Sequence, residues 1–187
     1  MKEQTARRVL LLISGVVKLT QLSTNGSEVI LWLTGAGDVL GAMGLAAGGI
    51  HTCSARVVTE CTAFVWDHMR FENFMSDSPL IRSNINHIMS ERLIELEERF
   101  REIATEQVSR RVALTLVRLL KRVGKFCDAG TEVALSREEL AQMTGTTLFT
   151  ISRLISEWEG KGLVLPRRGA VIVRDPERLL QEVCTPD

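Results

Sequence analysis

The feature that most constrains this fold is a pair of short helical patterns, joined by a tight turn, between residues 136 and 160. Ser136 and Glu139 stand three residues apart at the start of the first pattern, which is the spacing of a capping box. Thr144-Gly145-Thr146 then forms a turn. In the second pattern apolar residues recur at i, i+3, i+4 and i+7, namely Ile151, Leu154, Ile155 and Trp158. Two short helices joined by a glycine-containing turn predict a helix-turn-helix unit.

A hairpin pattern follows the second helix. The short β-prone runs Val164-Leu165 and Ala170–Val173 flank Arg167-Arg168-Gly169, which predicts a hairpin wing with basic residues at its tip. Upstream, residues 112–123 are amphipathic with a helical period and end at Gly124. Residues 108–187 are therefore predicted to form a winged helix-turn-helix domain.

The start of the second helix carries candidate base-reading side chains. In such a unit this helix lies in the major groove of DNA and reads base edges with its N-terminal residues. Arg153 faces away from the apolar stripe, and an arginine can bond O6 and N7 of guanine bidentately. Leu148 and Phe149 are apolar on the same outward side. Both can pack on thymine methyl groups, and for Phe149 packing against the preceding helix is an equal alternative.

Polar and basic side chains nearby are candidates for contacts with phosphate. Thr146, Thr147 and Ser152 carry hydroxyls close to a helix N-terminus, which favours an anion. The chain has no net charge, with 23 Lys+Arg and 23 Asp+Glu, but residues 106–187 hold thirteen basic and eleven acidic residues. The basic candidates on the turn, helix and wing are Arg153, Lys161, Arg167 and Arg168.

Residues 79–106 are predicted to form one long helix. Five apolar residues follow a heptad spacing of 4, 3, 4 and 3: Met89, Leu93, Leu96, Phe100 and Ile103. Charged residues, Arg92 among them, are expected to cover the other faces. The narrow stripe with charged flanks favours a dimer seam, and the alternative is a helix packed on its own domain.

The first 75 residues or so have the pattern of short strands. Residues 15–22 and 28–33 flank Asn25-Gly26, a strong hairpin signal, and further strands are predicted at 54–58 and 62–66. Short strands with glycine turns are typical of a small barrel or roll. The predicted fold class is α+β: a partial, jelly-roll-like antiparallel β-roll, a long dimerisation helix and a winged helix-turn-helix.

Several function classes lack support in the sequence. No apolar run is long enough to cross a membrane, and we expect a cytoplasmic protein. The four cysteines form no CxxC pair, so neither a disulfide framework nor a zinc site is expected. We find no nucleophile, phosphate-loop or metalloprotease motif, and predict that the chain is not an enzyme.

The chain resembles the CRP/FNR superfamily of bacterial transcription regulators over about residues 8–180. The resemblance rests on residues 35–45, GAGDVLGAMGL, on residues 53–57, CSARV, and on the helix-turn-helix at 135–153. It implies a sensory roll at 1–78, a dimerisation helix at 79–107 and a DNA-binding domain at 108–187. It further implies a homodimer on a roughly two-fold symmetric, double-stranded DNA operator, with RNA polymerase as a possible further partner.

This sequence departs from the family pattern at the effector site. The resemblance places that pocket at Gly41, Ala42, Met43, Cys53 and Ser54. Cyclic-nucleotide-binding members have a Glu for the ribose and an Arg for the cyclic phosphate, where this chain has Ala42 and Cys53. Neither can replace a charged hydrogen bond, so weak or no binding of cAMP is expected.

Two further departures concern the N-terminus and the recognition helix. Eight residues precede Val9, fewer than family members have, so exposed strand edges are expected in the roll. Phe149 stands where the family often has a Glu that accepts from cytosine, so a different operator preference is expected.

The sequence does not identify the effector that the roll would bind. No cysteine precedes Cys53, so an iron–sulfur cluster of the family's N-terminal type is not expected. Haem or a gas is an alternative, with His51, His68 or Cys53 as conceivable iron ligands, and redox sensing by Cys53 and Cys61 is another. A last alternative is a dimeric protein-interaction module that does not bind DNA.

Overall fold

The computed structural model describes residues 8–24, 26–46, 51 and 53–183. Asn25 of the predicted hairpin turn and Cys184 lie outside these residues. The described residues divide into two compact units, one within residues 8–21 and 34–100, and the other within 22–33 and 101–183.

Six strands occupy the first part of the chain: β1 (Arg8–Ser14), β2 (Val17–Leu22), β3 (Glu28–Thr34), β4 (Val39–Leu40), β5 (Ser54–Val57) and β6 (Thr62–Asp67). They form two three-stranded sheets with the orders β4-β1-β6 and β3-β2-β5. The pairs β1–β4, β1–β6 and β2–β5 are antiparallel, and Leu10 lies opposite both Leu40 and Val65. The predicted roll-like sheets are confirmed, and β2, β3, β5 and β6 correspond to predicted strands, whereas β1 and β4 were not predicted.

Three helices accompany the roll-like strands: α1 (Ala42–Ala46), α2 (His68–Asp77) and α3 (Pro79–Thr105). The long helix α3 matches the predicted span to within one residue. The sequence reading missed α2, which follows β6 directly and starts at Asp67, whose side chain caps the backbone N–H of Arg70 at 2.9 Å. Ser78, with an extended backbone, separates α2 from α3.

The core of the first unit joins its sheet to the helices. Val9, Val39 and Phe71 are buried there, and Trp66 and Met89 pack against them. Buried side chains of β1, β4 and α2 therefore meet in one cluster.

The burial of Arg92 on α3 contradicts one expectation from the sequence. It was expected on a solvated face, but it is 4% exposed, and its Nη2 donates to Val39 O at 3.1 Å and pairs with Asp38 Oδ1 at 3.3 Å. A buried guanidinium requires such partners, and they are Asp38, just before β4, and Val39, its first residue, both far away in sequence. Helical periodicity alone could not have indicated them.

The second unit holds the remaining elements: α4 (Val108–Val123), β7 (Lys125–Cys127), β8 (Gly130–Val133), α5 (Arg137–Thr144), α6 (Leu148–Gly160), β9 (Val164–Arg167), β10 (Ala170–Val173) and α7 (Pro176–Glu182). Its strands form a four-stranded sheet in the order β7-β8-β10-β9. The helix-turn-helix and the wing were predicted, whereas β7, β8 and α7 were not. Their short runs carry too few residues to establish a period.

An ion pair inside this unit joins the last turn of α3 to α4. The Arg118 guanidinium donates to both carboxylate oxygens of Glu102, at 2.5 and 2.7 Å, and Glu102 is buried. Arg122, also on α4, lies over the ring of the buried Trp32, 5.3 Å from the ring centroid. Among the described residues, every helix is too short or too polar to cross a bilayer.

Candidate nucleic-acid interface

Local hydrogen bonds fix the turn between α5 and α6. Ser136 and Glu139 form the predicted capping box: the backbone N–H of Ser136 donates to Glu139 Oε2 at 2.9 Å, and the N–H of Glu139 donates to Ser136 Oγ at 3.2 Å. Gly145 ends α5 with φ of 62°, a left-handed conformation that favours glycine. Thr147 then caps α6 by accepting from the N–H of Thr150 at 3.1 Å. The geometry of the helix-turn-helix is therefore set by local capping residues that can be recognised in the sequence.

The inner face of α6 anchors the helix in the domain. Ile151, Leu154, Ile155 and Trp158 are all buried, which confirms the predicted apolar stripe. Such complete burial fixes the rotation of α6 about its own axis, so the side chains of the opposite face point to solvent.

The outer face of α6 begins with two exposed apolar side chains. Phe149 is 80% exposed and Leu148 is 51% exposed. The first value excludes the alternative in which Phe149 packs against the preceding helix. Arg153 is also exposed, and its guanidinium makes no ion pair with any residue that the structure describes. Ser152, one residue earlier, is half-buried.

The threonines of the turn form a small hydroxyl cluster. Thr147 is exposed, and its Oγ1 lies 2.9 Å from Oγ1 of Thr150. Thr146 is half-buried, and its backbone N–H donates to Ala141 O at 3.1 Å. The sequence reading missed Thr150. The Thr-x-x-Thr spacing at a helix start was the available signal for it.

The wing presents two basic side chains. Arg167 and Ala170 lie opposite each other in the β9–β10 register, so Arg168 and Gly169 form the turn, with φ of 75° at Gly169. Both arginines are exposed. Arg167 Nη1 lies 3.4 Å from Oε2 of Glu132 on β8, an exposed pair that water and salt screen.

Lys161 occupies a different place from the other basic candidates. It caps the C-terminal end of α6, about 20 Å along the helix from Leu148 by the helical rise. Its Nζ lies 2.8 Å from Glu157 Oε1 and 2.6 Å from Glu182 Oε1. These hydrogen bonds raise the pKa of Lys161 above its ordinary value. Lys161 thus lies far from the start of α6, and two carboxylates accept from its ammonium group.

Arg111, on α4, stabilises the turn between α5 and α6. The sequence did not indicate this role. Arg111 lies in the first turn of α4 and is 9% exposed. Its Nε donates to the backbone carbonyl of Thr144 at 2.8 Å, and its Nη1 to that of Glu106 at 3.5 Å. Thr144 is the last residue of α5, so this hydrogen bond holds the helix end from which the turn to α6 starts.

The residues of the expected effector pocket lie on different elements. Gly41 precedes α1 with φ of 87°, and a Cβ there would lie 2.4 Å from Arg8 O. Ala42 is buried at the start of α1, and Met43 is exposed. Cys53 is half-buried just before β5, where Ser54 is exposed. Burial raises the pKa of the Cys53 thiol, and the nearby charge of Arg92 lowers it to a smaller extent.

The conceivable metal ligands do not converge. Among the described residues, His, Cys, Asp and Glu side chains form no group of three or more that could hold a metal ion. His68 Nε2 lies 3.3 Å from Glu72 Oε1 on α2, and His51 is half-buried. Cys53, Cys61 and Cys127 are free thiols.

Roll-like sheets, a long helix and a winged helix-turn-helix define a class of protein: DNA-binding regulators with a sensory roll. Residues 110–182 match the family model of the Crp-like helix-turn-helix domain, and residues 1–78 match that of the cyclic nucleotide-binding domain. The chain belongs to the CRP/FNR superfamily of transcription regulators.

Particular relatives agree with this assignment. The chain is 27% identical over 174 residues to the CRP-like cAMP-activated global transcriptional regulator of Mycobacterium tuberculosis, covering 92% of this chain and 78% of the relative. Its fold is similar to that of FixK2 from Bradyrhizobium japonicum, with a TM-score of 0.81, 21% identity and coverage of 97% and 89%. It is also similar to the c-di-GMP responsive regulator CLP of Xanthomonas campestris, with a TM-score of 0.76, 24% identity and coverage of 92% and 87%. The chain is a transcription regulator and not an enzyme.

The substitution Arg111→Met tests the support of the turn. It leaves the Thr144 carbonyl unpaired in a buried place, so we expect the free energy of unfolding to fall by about 1–3 kcal/mol. Urea titration followed by circular dichroism measures this. Arg110→Met is the matched control, since it removes the same charge from the neighbouring, half-buried position on α4. Equal unfolding midpoints for the two variants would contradict the role of Arg111.

Proposed function

We propose that the chain is a homodimeric, sequence-specific DNA-binding regulator whose roll responds to an effector other than cAMP. The outer face of α6 inserts into the major groove, and Arg153 reads a guanine there. The observation that carries this proposal is the exposed guanidinium of Arg153, which forms no ion pair with the described part of the chain. It lies beside the exposed N-terminal turn of α6, in a stretch, residues 144–156, without any acidic residue. A phosphate-rich partner meets no like charge on this surface.

Phosphate contacts position the helix. Thr147 and Thr150 stand at the N-terminus of α6, where hydroxyls and backbone N–H groups favour an anion. Arg167 and Arg168 at the wing tip add two cations to the same domain. The acidic residues of α6, Glu157 and Glu159, lie in its last turn, away from the groove-facing start, and Lys161 pairs with Glu157.

The apolar stripe of α3 supports the homodimer. Leu93, Leu96, Phe100 and Ile103 are exposed, and the exposed fraction of Phe100 is 75%. Met89 differs, because it is half-buried against the core of the first unit. A heptad stripe that its own chain leaves in solvent suits the same stripe of a second copy, by knobs-into-holes packing.

The residues of the effector pocket argue against cAMP. A buried methyl group at Ala42 cannot accept the hydrogen bond of a ribose hydroxyl. Cys53 has a thiol whose pKa is raised, so it offers neither a cation for the cyclic phosphate nor an activated thiolate. The neighbouring cation, Arg92, is held by Asp38 and Val39 O. These side chains support an effector other than cAMP.

The substitution Arg153→Ala tests base reading. We expect affinity for a selected operator duplex to fall by about 1–3 kcal/mol, a factor of roughly 5 to 150, because a bidentate contact with guanine is lost. Mobility shifts over a salt series measure it. The control is Arg178→Ala, which removes one exposed positive charge from α7. If both variants lose the same factor on operator and random DNA, Arg153 does not read bases.

The substitution Phe100→Glu tests the dimer. A charge in the seam is expected to convert the dimer into a monomer, as measured by sedimentation velocity. Ile94→Glu is the control, since Ile94 is 56% exposed but lies about 140° around the helix from the seam. The proposed dimer interface on α3 is contradicted if the wild type is monomeric, or if the Phe100→Glu variant stays dimeric.

Titration with cAMP tests the effector pocket. We expect no dissociation constant below the micromolar range in calorimetry, because two charged hydrogen bonds, each worth about 1.5–3 kcal/mol, have no donor or acceptor side chain here. The double variant Ala42→Glu with Cys53→Arg should bind more tightly than the wild type. Submicromolar binding by the wild type would refute the expectation.

A further inference from the structure

Two large apolar side chains on the first turn of α6 are exposed without an evident structural role. Phe149 is 80% exposed and Leu148 is 51% exposed, while the inner face of the same helix is buried. Exposed apolar side chains that adjoin one another commonly mark a contact surface. Their neighbours one turn later are Arg153, four residues after Phe149, and Ser152, four residues after Leu148. The apolar pair and the arginine therefore share one face of α6.

The chemistry of this face discriminates between base pairs. In the major groove, thymine presents a 5-methyl group and cytosine presents an amino group that needs an acceptor. Residues 144–156 contain no carboxylate to accept from cytosine. Phenylalanine and leucine offer only apolar contact, which a methyl group satisfies and an amino group does not.

We propose that Leu148 and Phe149 read the 5-methyl groups of thymines adjacent to the guanine read by Arg153. This inference rests on the proposed function and names the sequence that the same surface prefers. The operator half-site would then combine a guanine with neighbouring thymines, and part of its recognition would come from methyl groups rather than from hydrogen bonds.

The position of the pair favours DNA over a protein partner. The N-terminal residues of a recognition helix are those that reach base edges, and Phe149 is the second residue of α6. The face is continuous with Arg153 and with the hydroxyls of Thr147 and Thr150, which suit guanine and phosphate. A second copy of the chain would leave these polar groups without a complementary charge.

The first stage of the test selects duplexes from a random library with the full-length protein. Enrichment of a guanine-containing half-site, with affinity that falls steeply with salt, supports the proposed function itself. Failure of enrichment counts against the proposed function. The inference about thymine is overturned separately if a selected site has no thymine beside its guanine.

The second stage replaces each selected thymine by deoxyuridine, which removes only the methyl group. We expect binding to weaken by about fourfold for each contacted thymine, the factor for burying one methyl-sized group. Placing cytosine there should weaken binding further, and 5-methylcytosine should restore part of the loss, because the methyl group returns.

Variants connect the effect to the two side chains. In Phe149→Ala and Leu148→Ala, the loss caused by deoxyuridine should shrink toward none, because the methyl group no longer has a partner. The control is Phe126→Ala, since Phe126 is an 89% exposed phenylalanine of the same unit on β7, outside α6. It should keep the full deoxyuridine effect.

Two further results would overturn the inference. One is a deoxyuridine effect of the same size in the wild type, Phe149→Ala and Leu148→Ala. The other is a change of oligomeric state in Phe149→Ala with unchanged thymine preference, which would assign the exposed ring to a protein contact.

Discussion

Complete burial of one face of α6 is the constraint on which the interface depends. Ile151, Ile155 and Trp158 are inside the domain, so the helix cannot rotate without exposing them. The packing of these buried residues then holds Arg153 and Phe149 on the outward side of α6. Arg111 adds to this from α4, because its hydrogen bond to Thr144 fixes the end of α5. The outer face of α6 is therefore oriented by the buried inner face and by the capped turn.

Buried charge organises the long helix in a similar way. Arg92 is satisfied by Asp38 and a backbone carbonyl, and Glu102 is satisfied bidentately by Arg118. Removing one partner of such a pair leaves an uncompensated charge, so each pair fixes the rotation of α3 where it occurs. Leu93, Leu96, Phe100 and Ile103 of the apolar stripe remain exposed, and the exposed fraction of Phe100 is 75%. The same helix thus packs on its own chain through these charges and leaves Phe100 exposed.

Much of the winged helix-turn-helix could be predicted from the sequence because its signals are local. The Ser136–Glu139 capping box and the period of the apolar residues in α6 determine its two helices. The pairing of Arg92 with Asp38 could not be predicted, because 54 residues separate the two and no period relates them. Arg111 was missed for the same reason, since its acceptor is a backbone carbonyl 33 residues away. The exposure of Phe149 could not be predicted from the sequence either. A helical period indicates that a residue points away from the buried face, but not whether another element of the fold covers it.

The central claim, that the start of α6 reads bases from the major groove, is tested most directly by methylation interference on a selected duplex. Dimethyl sulfate modifies guanine N7 in the major groove and adenine N3 in the minor groove. The account predicts interference from guanine N7 in two half-sites about 10 base pairs apart, the spacing of a two-fold symmetric pair of recognition helices. Interference confined to adenine N3, or absent from both atoms while binding persists, would contradict it.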